Sequence, residues 1–275
     1  MDISNAVKDI ATKGTRTICI ASGKGGVGKT TFAINLSIAL TDAGYKVLYF
    51  DADLGLANAQ IGFYCESKYN LSHVISGEKT LSEILVETDY GVSLVPGGSG
   101  LEQMAVLNEM QSAKLIQAFS SLVDTYDYMV VDCAGGIASS VLAFLQGSKF
   151  RIIVGTKELT SIADAYSLLK VMINEYKLDN LIYVPNMVKS EREGCDLFNS
   201  VNTVVQNFLH TRLQYLGSVT HDTSVNLSWQ KSVPVIRLAA DSVIASNFHK
   251  LAARLAELRS DSITRSGPQF FMERV

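Results

Sequence analysis

Nine residues, Gly23-Lys24-Gly25-Gly26-Val27-Gly28-Lys29-Thr30-Thr31, have the types and spacing that hold a chain of phosphates. The glycines let the backbone curl until several N–H groups face one anion, and a helix starting at the end of the stretch adds its partial positive charge. Lys29 reaches the outer phosphates, and the Thr30 hydroxyl is placed to ligate Mg2+. A plain glycine turn accounts for the glycines but leaves Lys29-Thr30 unexplained. Lys24 is a second cation, and an ordinary phosphate-binding loop does not need it. Carboxylates supply the rest of the chemistry. Asp132 ends the apolar run Tyr128-Met129-Val130-Val131, a position suited to a water-mediated Mg2+ contact. Alone it would serve equally well as a helix cap, so its reading rests on pairing with the loop. Asp51 and Asp53 are two apart and share a face if the backbone there is extended. Beside a triphosphate such a pair is repulsive without a metal.

These groups need a strand before the loop and a helix after it. Thr17-Ile18-Cys19-Ile20-Ala21 reads as a buried strand, and Phe32 to Leu40 carries apolar residues at helical spacing. Lys46 to Phe50 reads as a second strand, which delivers Asp51 and Asp53 at its C-terminal end, where open α/β sheets place their chemistry. Further strands are predicted over 92–96, 128–132, 151–155, 181–185 and 216–219. Small helices are predicted over 62–91, a flexible turn over 97–100, and longer helices over 111–125 and about 240–260, the last after a break at Pro234. Apolar, β-branched strands separated by helices predict an α/β fold: doubly wound, with a mainly parallel central sheet and helices on both faces. With no internal repeat or linker, the expectation is one domain over 17–262, an arm over 1–16 and a tail over 263–275.

Composition narrows the function. Of 275 residues, 47% are hydrophobic and 19% charged, which predicts a folded core. A net charge of −3 gives no general attraction to nucleic acid or anionic membranes. No apolar run approaches the roughly 20 residues that cross a bilayer. Cys19, Cys65, Cys133 and Cys195 form no C-x-x-C pair and follow no signal peptide, so reduced thiols in a cytoplasmic protein are expected. Cys133 reads as a small buried filler, and His221 as a loop residue.

Lys24 to Thr30 resembles the K-G-G-x-G-K-T signature of the deviant Walker A group, the MinD/ParA ATPases. The resemblance implies ATP and ADP as ligands with Mg2+, and water attack on the γ-phosphate. It implies that Lys24 reaches the phosphates of a second copy, so that the homodimer depends on ATP. By the same resemblance Asp51 and Asp53 are switch I, Asp51 lying near Mg2+ and Asp53 acting on the attacking water. Asp132 to Ile137 resembles switch II, Asn186 the adenine-reading asparagine, and Val219 to Val225 a second base-contacting loop. The candidate set is therefore Gly23 through Thr31 with Asn186 for nucleotide, Thr30, Asp132 and Asp51 for metal, and Lys24, Lys29, Asp51 and Asp53 for catalysis.

Other stretches narrow the likeness. Asp51 to Asn58, Ser161 to Lys170, Asn186 to Gly194, Leu213 to Val219 and Gln269 to Arg274 resemble the flagellar-number regulators of the FlhG/FleN type. This implies a signal-recognition-type GTPase (FlhF), flagellar C-ring proteins and a flagellar master transcription activator as partners. It also implies a C-terminal amphipathic tail, with Phe270, Phe271 and Met272, that targets the inner face of the cell membrane. Asp2 to Lys8 keeps only the acid and the basic end of the family's GTPase-activating segment, Lys157 to Thr160 lacks the family's proline, and Gly135 stands where alanine is usual. A ParA-like DNA-partitioning ATPase is the competing reading, and the charge weighs against it. An iron–sulfur relative would need two well-placed cysteines, which the sequence does not offer.

Overall fold

The computed structural model describes residues 14–53, 58–97, 118–119, 122 and 125–258. Its first strand, β1 (Arg16–Ala21), is apolar on alternate residues in both directions, because both faces of the sheet are covered. Ile18 and Ile20 point to one layer of helices, Cys19 and Ala21 to the other, and all four are fully buried. The loop of glycines follows, then α1 (Lys29–Asp42), which ends at Ala43 before Gly44 in the left-handed region. β2 (Val47–Ala52) comes next. A short helix that the sequence reading did not place, α2 (Asn58–Gly62), leads into the stretch expected to hold small helices, which contains α3 (Leu71–Ser76) and α4 (Leu81–Ile84). That stretch also holds a two-residue strand that its sequence does not announce, β3 (Val86–Glu87), antiparallel to β4 (Val92–Val95).

The second half adds β5 (Tyr128–Cys133), α5 (Ser139–Gln146), β6 (Phe150–Gly155), α6 (Leu159–Asn174), β7 (Leu181–Val188) and α7 (Glu191–Leu209). It closes with β8 (Gln214–Tyr215), β9 (Val219–Thr220), α8 (Ser224–Lys231), α9 (Val235–Leu238) and α10 (Val243–Glu257). Among the described residues the sheet order is β3-β4-β2-β5-β1-β6-β7-β8, with β9 paired to β7, and every pairing except β3 with β4 is parallel. The doubly wound, mainly parallel α/β fold expected from the strand pattern is thus the fold observed. Helices α1, α9 and α10 cover one face, and α5, α6 and α7 the other.

Local boundaries differ from the sequence reading. The run 216–219 is not one strand: Gly217, at φ 143°, breaks it and leaves β8 and β9 on either side. The last helical stretch begins with a separate turn, α9, after Pro234, and α10 starts only at Val243 with Ser242 as its cap. β7 runs three residues past Pro185, so Asn186 sits in a strand, not a loop. Most of the helix expected over 111–125, the turn after Gly97, most of the N-terminal arm and the C-terminal tail lie outside the described residues; Ala118 and Phe119, within the first of these, are helical.

Candidate functional site

β1 is flanked by β5 and β6, so the loop at its C-terminal end opens at the centre of the sheet edge. Gly26 and Gly28 have φ of 80° and 88°, a conformation that L side chains resist. Gly23 is required for another reason: a Cβ there would lie 2.1 Å from the Asp164 carbonyl carbon of α6. Ser22 Oγ donates to Lys24 O at 2.6 Å and holds the loop's first turn. Gly28 caps α1 without a side-chain hydrogen bond, and no acidic residue stands in the helix's first turn. The free N–H groups at that end are therefore available to an anion.

Three carboxylates surround the loop. Asp51, the last but one residue of β2, stands in register with Asp132 on β5, and both are buried. Burial, then the charge of Asp132, pushes Asp51 up to about 8, against the pull of the Asp53 and Ala59 N–H groups. Those donors lie 3.2 Å from its Oδ1 and 3.4 Å from its Oδ2. Burial raises Asp132 to about 6, while the Thr30 and Tyr49 hydroxyls and the Lys29 charge favour its ionised form. Tyr49, itself fully buried, donates its hydroxyl to Asp132 Oδ2 at 2.9 Å. Asp132 Oδ1 is buried with no hydrogen-bond partner among the described residues. β2 ends at Ala52, so Asp53 stands one residue beyond it, partly exposed, its N–H turned back to Asp51.

This arrangement fits Mg2+. An orphaned carboxylate oxygen and a like-charged pair at the mouth of a phosphate loop are what a hard cation with water and phosphate ligands relieves. No group of three or more His, Cys, Asp or Glu side chains forms a cage among the described residues. A cation here would therefore lean on the nucleotide for part of its shell.

Lys24 is held within its own chain. Its Nζ lies 2.9 Å from Glu158 Oε2 and 2.9 Å from Thr160 Oγ1, at the start of α6. The segment after Asp132 is laid against the loop as well: Gly136 N–H donates to Ser22 O at 2.9 Å. A Cβ on Gly135 would come 2.9 Å from Gly25 N, so an alanine in this conformation would press on the loop backbone.

Asn186 is buried and donates Nδ2 to Val27 O at 2.8 Å, reaching the loop across 159 residues of chain. Beside it is a cavity of about 220 Å3 whose walls include Gly28, Phe32, Met187, Val219, His221 and Phe248. The structure thus gathers Asn186 and the 219–225 segment around one space next to the loop. His221 N–H donates to Val188 O at 2.8 Å, a backbone contact. Cys133 is a buried filler as expected, with Cys19 Sγ 3.2 Å away on the neighbouring strand.

Sequence reasoning did not find Tyr49, Glu158 or Trp229, the last of which donates Nε1 to Thr31 Oγ1 at 3.0 Å. Tyr49 reads as one more apolar strand residue. Glu158 and Trp229 meet the loop from 134 and 198 residues away, and no local spacing signals either.

A family model described as an AAA domain matches residues 15–182. The antiactivator FleN of Pseudomonas aeruginosa is 37% identical over 94% of this chain and 93% of its own length. The flagellum site-determining protein YlxH of Helicobacter pylori is 32% identical over 100% of this chain and 95% of its own. Among solved structures, MinD of Pyrococcus horikoshii complexed with Mg-ADP is 26% identical, with a TM-score of 0.72 over 88% of this chain and 96% of that one. The MinC:MinD cell division complex of Aquifex aeolicus gives 25% identity and a TM-score of 0.73 over 92% and 100%. Fold and site together define a P-loop ATPase of the MinD/ParA type, an enzyme that hydrolyses ATP. Within that class the chain belongs to the FlhG/FleN family of regulatory ATPases.

Proposed function

We propose that this chain is an ATP-dependent dimerising ATPase that controls flagellar number and placement from the inner face of the cell membrane. The observation that carries the reading is Lys24. It is a second loop cation beside Lys29, held at the surface by a partly exposed ion pair with Glu158. A second copy facing the loop takes Lys24 into its triphosphate, which couples assembly to the bound nucleotide. The names of its relatives, an antiactivator and a flagellum site-determining protein, support the flagellar assignment.

The chemistry follows from the residues. Loop N–H groups from Gly23 to Thr31 and the Lys29 ammonium hold the phosphates and stabilise the charge that develops on them. Thr30, Asp51 and Asp132 would hold Mg2+, which would supply positive charge against the phosphate oxygens. Asp53, less buried than Asp51 and next to it, orients the attacking water. Asn186 and the 219–225 segment take the base in the cavity beside Gly28. The segment 263–275 brings the dimer to the membrane. An FlhF-type GTPase, C-ring proteins and the flagellar transcription activator are the partner classes.

The test is molar mass by light scattering, with a non-hydrolysable ATP analogue and Mg2+. The wild type is expected to double in mass, and Lys24→Ala to stay single. A wild type that stays single, or a Lys24→Ala protein that doubles, overturns the cross-subunit contact. Co-sedimentation with anionic liposomes against DNA separates the membrane reading from DNA partitioning.

A further inference from the structure

Trp229, the chain's one tryptophan, lies on α8, outside the loop, both carboxylate strands and the cavity lining. Its indole Nε1 donates to Thr31 Oγ1 at 3.0 Å. An indole N–H can only donate, so the Thr31 oxygen is fixed as acceptor and must spend its own hydrogen elsewhere.

The usual outlet for a helical hydroxyl is the carbonyl three or four residues back, and α1 uses it twice. Ser37 donates to Ala33 O and Thr41 to Ile38 O, each at 2.8 Å. For Thr31 the two candidate carbonyls are Gly28 O, which accepts the Phe32 N–H, and Val27 O, which accepts Asn186 Nδ2, and the Thr31 hydroxyl bonds to neither. Thr31 Oγ1 donates to no protein acceptor among the described residues, and Thr31 lines the cavity beside the loop. Its own carbonyl is taken by Asn35 Nδ2 at 2.7 Å, and Asn35 Oδ1 accepts from Ile236 N–H of α9 at 2.9 Å. The first turn of α1 is therefore pinned from two sides by α8 and α9. Like the free N–H groups of that turn, the hydroxyl hydrogen of Thr31 has no acceptor among the described residues.

We infer that Trp229 is a positioning residue for phosphate recognition: it holds the Thr31 hydroxyl as a donor aimed at the phosphate chain of the bound nucleotide. The inference rests on nucleotide binding at this loop and names a residue that such binding does not by itself require. The indole also contacts α2, since a Cβ on Gly62 would lie 3.2 Å from Trp229 Cη2. Phenylalanine at 229 keeps most of that packing and removes only the donor.

The experiment titrates full-length protein with fluorescent ATP and ADP analogues, and follows steady-state hydrolysis, for Trp229→Phe, Thr31→Val, Thr31→Ser and the Trp229→Phe/Thr31→Val double variant. One neutral hydrogen bond predicts a loss of roughly 3- to 10-fold in affinity, alike for both nucleotides, in Trp229→Phe and in Thr31→Val. KM should rise by the same factor with kcat unchanged. The double variant should bind no worse than Thr31→Val, and Thr31→Ser should bind as the wild type. Wild-type affinity in Trp229→Phe, multiplied losses in the double variant, or a fall in kcat at unchanged KM would each overturn the inference. Should Trp229→Phe not fold, full affinity in Thr31→Val overturns it alone. A wild type that binds neither analogue would instead remove the nucleotide-binding reading itself.

Discussion

Asp51→Asn is expected to do two opposite things: to stabilise the metal-free protein at pH 8, and to destabilise it at pH 4.5. Asp51 is buried in register with Asp132, and its pKa rises from 3.8 to about 8, chiefly through burial and then through Asp132. The folded state therefore keeps a proton that the unfolded chain has released. Stability from this group is fully present below about pH 4 and is lost as pH rises towards 8. At about 1.4 kcal/mol per unit over about four units, the loss reaches at most ~6 kcal/mol. Asparagine cannot ionise and escapes that loss. Its NH2 must however face one of the N–H donors of Asp53 and Ala59 that the carboxylate accepts. Setting donor against donor costs about 1–3 kcal/mol at every pH.

The net gain at pH 8 is then ~2–4 kcal/mol, or about 5–10 °C in Tm for a chain of this size. At pH 4.5 only the cost remains. Melting curves of the two proteins in EDTA without nucleotide, followed by circular dichroism, should therefore cross between those pH values. Asp132, raised to about 6, leaves the variant a smaller decline of its own between pH 4 and 6. Parallel pH profiles, or a variant less stable throughout, would refute the assignment of the buried charge to Asp51. Mg2+-dependent hydrolysis should be lost in the same variant.

Asp53→Ala should leave nucleotide binding and the ATP-dependent dimer intact while hydrolysis slows by about 10²-fold or more, as loss of a positioned acid–base group does. Phosphate release measured alongside light scattering separates the two effects. Tyr49→Phe keeps the edge-to-face contact with Phe63, ring centroids 5.0 Å apart, but removes the hydroxyl from Asp132 Oδ2. It should cost about 1–3 kcal/mol of stability and raise the Mg2+ concentration for half-maximal hydrolysis, read by thermal melts and a metal titration.

Much of the site was legible because its chemistry lies in local spacing. Glycines that the turn needs, Lys29 and Thr30 are contiguous, and Asp51 and Asp132 end apolar strands whose neighbours are β-branched. What local spacing cannot carry was missed. The β3 edge strand is two residues long, too short for any alternation to register. Asn186 follows a proline, which suggests a loop, yet β7 continues because β6 and β9 pair with it on either side of that point. The run 216–219 reads as one strand through Gly217, while the φ of that residue shows that the chain turns there and leaves two short strands.

Glu158 was the largest omission, and it bears on how a switch of this kind is set. The Lys24 side chain is 34% exposed and that of Glu158 66%, so the pair is solvated and contributes at most about 1 kcal/mol. A contact that weak orders Lys24 in the isolated chain without committing it. In the proposed dimer, a triphosphate presented by a second copy would carry several negative charges and exclude water as the faces close, and so would compete well against one exposed carboxylate. Had Glu158 been buried with Lys24, removing the lysine would have left an uncompensated charge at a cost of about 3–5 kcal/mol. The loop cation would then have stayed with its own chain whatever nucleotide was bound. Exposure of this ion pair is thus what would leave assembly of the proposed dimer to be decided by the nucleotide.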